Sequence, residues 1–312
     1  MTILVYAAVA VSVLIFVAAT VTRTVLYARS PIHLRWELYP VPHERPDRAA
    51  HGGSYFEESE WWRCPRRRRL RGELAVMVPE ILFLDALRKF NRALWYRSFP
   101  FHFGLYLGAG AGFGLLVTAA VGRLAGTAWL AGPVERLLTG VVAVAGWSGL
   151  SLAVLGAVAL LHRRLTDAAL RAYTTAGDVC NLLFYAAALG VLGAGYVLRP
   201  AGSPDAWSLA AGLLSWDTSV EVPPLLATGI VTTSALLAYI PLTHMSHFIG
   251  KYFTYHAVRW DDAPMSEGGR VSAAMAEYLT FRPTWAAGHI RSDGTPTWTE
   301  VADRNPAREA RR

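Results

Sequence analysis

Cysteine is nearly absent from this chain: Cys64 and Cys180 are the only two in 312 residues. They fall in different topological zones, which argues against a disulfide, and two isolated thiols cannot hold an iron–sulfur cluster. Cys180, inside an apolar stretch, reads as a small packing residue. Charge is scarce as well. Asp, Glu, Lys and Arg make up 17% of the residues against 53% hydrophobic ones, too greasy a balance for an ordinary soluble domain of this length. Five stretches, residues 1–22, 101–122, 137–161, 179–198 and 222–243, contain no charged side chain at all. Each reaches the roughly 20 residues that a helix needs to cross the hydrocarbon core.

Other features are missing too. The first stretch has no basic leader and no small-residue cleavage site before Arg23, so it reads as a retained helix rather than a secretory signal. No inverted repeat and no charged residue in mid-span points to a transporter, although a small transporter is a remote competing reading. The series Gly104, Gly108, Gly110, Gly112 and Gly114 resembles a dinucleotide-binding pattern, but it sits in an apolar span without a preceding strand. Small residues at that spacing instead let another helix, or a flat macrocycle, come close to the backbone.

What is present is a strongly patterned basic charge. The segment 27–97 is rich in arginine and holds the run Arg66 to Arg69; the third connection begins Arg163-Arg164; the tail carries Lys251, Arg259, Arg270 and Arg311-Arg312. The segments 123–136 and 199–221 are poor in positive charge by comparison. Positive charge marks the cytoplasmic side. The expected architecture is therefore an all-α integral membrane bundle of five transmembrane helices, with the N-terminus outside and the C-terminus cytoplasmic. Residues 1–256 form the membrane domain, with a cytoplasmic insertion at 27–97, and 257–312 form a cytoplasmic tail. Residues 206–216, with Trp207 and Trp216, suit a short helix at the outer interface. Residues 79–97 suit an amphipathic helix leading into the second span, and the prolines at 31, 40, 42 and 46 an extended start to the insertion. The basic run suits anionic lipid headgroups or a cytoplasmic partner; nucleic-acid binding is not needed to explain it.

Nine histidines are present. His33, His43, His51 and His289 fall outside the spans and read as solvated side chains, His256 falls beyond the fifth span on the cytoplasmic side, and His162 reads as an interfacial cap. His102, in the second span, and His244 and His247, at the end of the fifth, are different. A titratable group at such a depth is costly and marks function by default. The topology starts the second span and ends the fifth on the same face, so antiparallel helices bring His102 and His247 to nearly one depth. Two imidazoles on facing helices can ligate the iron of a flat haem from opposite sides. His244 is open to the same role, or to contact with a propionate or a quinone. Phe99, Phe101 and Phe103 would keep such a site dry. Arg97 and Lys251 flank it at the membrane surface and could pair with propionates.

Phe101-His102-Phe103-Gly104, together with Pro241 six residues before His247, resembles the gamma subunit of respiratory nitrate reductase and its wider family of haem b membrane anchors. The resemblance covers residues 1–255. It implies five transmembrane helices with haem ligands on the second and fifth, a cofactor-facing role for Gly104, and His247 rather than His244 as the ligand. That family's second histidine pair falls here on Gly112 and Gly229, so the resemblance implies a single haem near the cytoplasmic face. The long insertion, with His33-Leu34-Arg35-Trp36, is more similar to the membrane subunits of sulfite-reduction-associated and heterodisulfide-reductase-like complexes. These imply a cytoplasmic iron–sulfur partner and exchange of electrons with menaquinone in a bacterial or archaeal cytoplasmic membrane. A haem-free anchor for a soluble enzyme is the competing reading.

Overall fold

The computed structural model describes residues 1–30, 44, 57–63, 70–126, 132–261, 264, 266–284 and 293–304. The basic run 66–69, Cys64, the insertion's prolines and His33, His43, His51 and His289 lie outside the described residues. Among those described there is no strand. Five helices are long and apolar enough to cross a membrane. They are α1 (Thr2–Arg29), α4 (Arg92–Ala125), α5 (Pro133–Thr166), α7 (Ala176–Val197) and α9 (Pro224–Tyr239), the last continued by a 3-10 turn at Ile240–Leu242. Between them lie α2 (Leu70–Phe83), α3 (Asp85–Phe90), α6 (Ala168–Arg171) and α8 (Ala206–Ser215).

The spans match the five expected stretches in number and order, and their ends differ for physical reasons. α4 begins at Arg92 and α5 ends at Thr166, because charged residues continue a helix readily once their heads reach water. The helix expected at 79–97 is three pieces. Leu84 adopts a left-handed backbone with φ 51° and separates α2 from α3, and Asn91 separates α3 from α4. The Asn91 side chain accepts from the Leu94 N–H as an N-cap.

The chain divides into two compact units, one formed by Met1–Ala19 and Ala75–Met245, the other by Thr20–Leu74 and Ser246–Arg312. In the first, the extensive pairings are α4 on α5, α5 on α7 and α7 on α9, with α8 against α4. Lipid offers no hydrophobic drive for helix association, so close backbone approach through small residues does that work. A Cβ on Gly104 would lie 2.4 Å from Ala153 N, and one on Gly156 would lie 2.5 Å from Phe101 N. The α7–α9 crossing is built the same way, with Gly195 against Leu226 and Gly229 against Leu192.

Two buried clusters hold this unit. Phe101, Ala157, Tyr185, Ala188 and Leu236 join α4, α5, α7 and α9. Val5 and Tyr6 of α1 join Leu209 of α8 and Leu226 of α9 at the opposite end. There the Thr2 hydroxyl donates to the Val220 carbonyl at 2.7 Å, and the Tyr6 hydroxyl to that of Asp217 at 3.2 Å. The Tyr6 ring meets Trp216 edge-on. Tyr6→Phe removes one hydrogen bond, a loss of about 1 kcal/mol. Tyr6→Ala empties a buried aromatic site, at a cost of about 3–5 kcal/mol. Thermal unfolding in detergent is expected to rank the variants in that order, and equal midpoints would show that α1 is not anchored here.

In the second unit, α10 (His247–Phe253) runs into a π-helical turn, Thr254–Arg259. His256 in that turn stacks on Tyr252, its Nδ1 lies 3.0 Å from the Tyr252 carbonyl, and its Nε2 lies 3.8 Å from Glu73. Tyr27 of α1 packs on Phe253. Further on, α11 (Arg270–Leu279) and α12 (Trp298–Ala302) are joined by the stacked Tyr278 and Trp298 rings.

Candidate functional site

His102 lies one residue past Phe101, whose ring meets it edge-on at 5.2 Å and meets Tyr185 of α7 at 4.9 Å. Its Nδ1 is 2.8 Å from the Ser98 carbonyl and 3.2 Å from the Ser98 hydroxyl, one helical turn back. A carbonyl only accepts, so Nδ1 carries a proton in this contact. A ring held through Nδ1 by an outer acceptor is also the arrangement that metal-ligating histidines use. Ser98 was not singled out in the sequence, although its position four residues before His102 is the readable signal.

The two faces of α4 are specialised. At about 100° per residue, Gly104 lies roughly 160° around the helix from His102, and it abuts α5. The close approach that Gly104 allows is therefore that of α5. Gly108, Gly110 and Gly112 have open space where a Cβ would be. The His102 face also carries Trp95, Phe99 and Tyr106, all within about 60° of it on the helical wheel. These residues dock the end of α2. The Trp95 indole donates to the Phe83 carbonyl at 2.7 Å and the Tyr106 hydroxyl to that of Ile81 at 3.0 Å. Trp95, Phe99 and Phe103 stack in a ladder along the helix, and Phe83 joins it on Phe99.

The end of the fifth span departs from a continuous helix. Pro241 supplies no N–H for an α-helical bond. The chain tightens into two 3-10 turns, Ile240–Leu242 and His244–Ser246, and a new helix starts at His247. His244 and His247 therefore do not share one helix. His244 belongs to the first unit, and His247 opens α10 of the second with its side chain exposed. His244 turns to α7, where its Nε2 lies 3.2 Å from Asn181 Nδ2 and 3.8 Å from Asp178 Oδ1. The Tyr239 hydroxyl donates to Asn181 Oδ1 at 2.8 Å. Asp178 also closes the α7 capping box with Thr175 and pairs with Arg164 at 3.4 Å. Asn181 is 5% exposed. Asn181 is the one amide in the five charge-free stretches, which is the signal the sequence holds for it.

Arg97 folds back on the carbonyl of Ala93 within α4, and Lys251 stands in α10. Among the described residues no three His, Cys, Asp or Glu side chains converge as a metal site. A haem would ask for two axial donors on opposite faces, and a His102 held through Nδ1 would fit one of those places. Comparison with family models, curated proteins and solved structures finds no match.

Proposed function

We propose that this chain is a membrane electron-transfer subunit that holds a single haem b between His102 and His247. In this reading it exchanges electrons between menaquinone and a cytoplasmic iron–sulfur oxidoreductase related to heterodisulfide reductase. The bundle lies with its N-terminus outside and its tail in the cytoplasm, following the charge pattern of the loops. The observation that carries the reading is the Nδ1 contact of His102 with the Ser98 carbonyl. It fixes one nitrogen of an imidazole inside a spanning helix, the way an outer contact holds a metal-ligating histidine.

Two further observations support it. His244 has its Nε2 engaged with Asn181, which favours His247 as the second ligand. Gly229 is packed against the backbone of Leu192, where a second, deeper ligand would have to stand. The haem, when bound, supplies a one-electron redox centre; ligation, orientation and exclusion of water fall to the chain. Ser98 holds the His102 ring by its proton. The ladder of Trp95, Phe99 and Phe103 keeps water from that face, and Arg97 and Lys251 would meet the propionates at the surface.

The test is a reduced-minus-oxidised spectrum and a pyridine haemochrome assay on protein purified from haem-replete cells. A b-type α band at one haem per chain is expected. No α band would leave a haem-free membrane anchor as the function, and two haems per chain would overturn the single-site assignment.

A further inference from the structure

The end of α2 is an apolar helix terminus with carbonyls to satisfy. From Ala75 to Leu84 the only charged side chain is Glu80, whose carboxylate accepts from the Ala86 N–H across the corner at 2.8 Å. The helix stops at Phe83, because Leu84 takes a left-handed backbone. The last four carbonyls of a helix have no partner of their own, and apolar surroundings make that costly. Two of the four find donors on α4. The Trp95 indole N–H donates to Phe83 at 2.7 Å and the Tyr106 hydroxyl to Ile81 at 3.0 Å. Phe83 also stacks on Phe99. All of these residues belong to one compact unit, together with His102.

These two donors bracket His102. They stand about 16 Å apart along α4, at 1.5 Å per residue, yet their acceptors are two residues apart in a single turn of α2. Both side chains therefore reach inward, over the stretch of α4 that holds His102. On the helical wheel Trp95, His102 and Tyr106 lie within about 40° of one another. A helical side chain covers the turn N-terminal to its own Cα, which places Tyr106 over the turn of His102. The His102 side chain is half-buried. We infer that residues 80–83 form a strap across the imidazole of His102, latched by Trp95 and Tyr106. Pro79, which donates no backbone hydrogen bond, and the left-handed Leu84 bound the strap on its two sides, so it can lift without unwinding α4. Trp95 and Tyr106 are positioning residues that act through α2. The consequence for a haem rests on the proposed function, since exposure to solvent is one of the levers on the iron's potential; the latch itself does not.

The experiment follows modification of His102 by diethyl pyrocarbonate, peptide by peptide in a mass spectrometer, on the full chain made in haem-deficient cells. His162 of α5, which is exposed, is the internal reference. Trp95→Phe and Tyr106→Phe each remove one hydrogen bond and keep an aromatic ring. Each is expected to raise the rate at His102 about fivefold, and the double variant more. Tyr96→Phe, about 120° around the helix from His102, should change nothing. An unchanged rate at His102 in the double variant would overturn the strap. So would a rise shared by His162 or produced by Tyr96→Phe, since either would mean general loosening. In protein from haem-replete cells the double variant should lower the midpoint potential, because water favours the more highly charged ferric state. Faster labelling with an unchanged potential would overturn the strap's role at the haem. Absence of an α band from the unsubstituted protein would instead overturn the haem reading, and the labelling result would still decide the latch.

Discussion

If the proposed haem is bound, His102→Leu and His247→Leu are each expected to abolish its b-type absorption band, while the five spanning helices remain. Loss of an outer contact to a metal ligand costs on the order of 10–100-fold in affinity, and loss of the ligand itself costs more. Neither leucine disturbs packing enough to explain such a loss by unfolding. His102 lies on the face of α4 away from the glycine crossing with α5, and His247 is exposed at the start of α10. Far-UV circular dichroism of both variants should match the unsubstituted protein. Ser98→Ala is the graded control. It removes the 3.2 Å hydroxyl contact but keeps the carbonyl at 2.8 Å, so haem stays bound with at most a small change in potential. If His102→Leu keeps full haem content, the pair is wrong; if only His247→Leu does, the second ligand lies elsewhere in the chain.

The sequence carried the bundle in plain form, because a charge-free run of bilayer length has few other uses. Its connections were harder to read. Nothing in the periodicity of residues 79–97 announces that Leu84 takes a left-handed backbone, a conformation costly for a side chain with a Cβ. α2 and α3 thus merged with the start of α4 into one expected helix. The break after Tyr239 is signalled by Pro241, through its missing N–H rather than through its spacing to His247. The partners of the histidines escaped for a different reason. Ser98 and Asn181 are common polar residues, and what distinguishes them is burial and a neighbour. Ser98 meets His102 one turn away, and Asn181 meets His244 across 63 positions. The first could have been read from helical spacing. The second needed the α7–α9 pairing.

Gly112 and Gly229, which the family resemblance treats as the same kind of vacancy, are expected to respond to alanine with opposite signs. Gly112 has nothing within 4 Å of where a Cβ would stand. Gly112→Ala therefore restricts the unfolded chain and raises stability, by up to about 1 kcal/mol on helix-propensity grounds. At Gly229 the added Cβ would lie 2.5 Å from Leu192 Cα and 2.7 Å from Leu192 N. These are backbone atoms of α7 that cannot rotate away, so Gly229→Ala has to push α7 and α9 apart. Overpacking of this kind costs about 1–3 kcal/mol. Detergent-unfolding midpoints measure both effects. The same geometry bears on the number of haems. The double variant Gly112→His, Gly229→His restores two imidazoles to the sequence but is expected to bind no second haem, since the site at 229 belongs to the helix crossing. A doubled haemochrome ratio in that variant would mean that α7 can yield. The proposed single haem would then reflect missing ligands alone rather than a bundle packed shut at that depth.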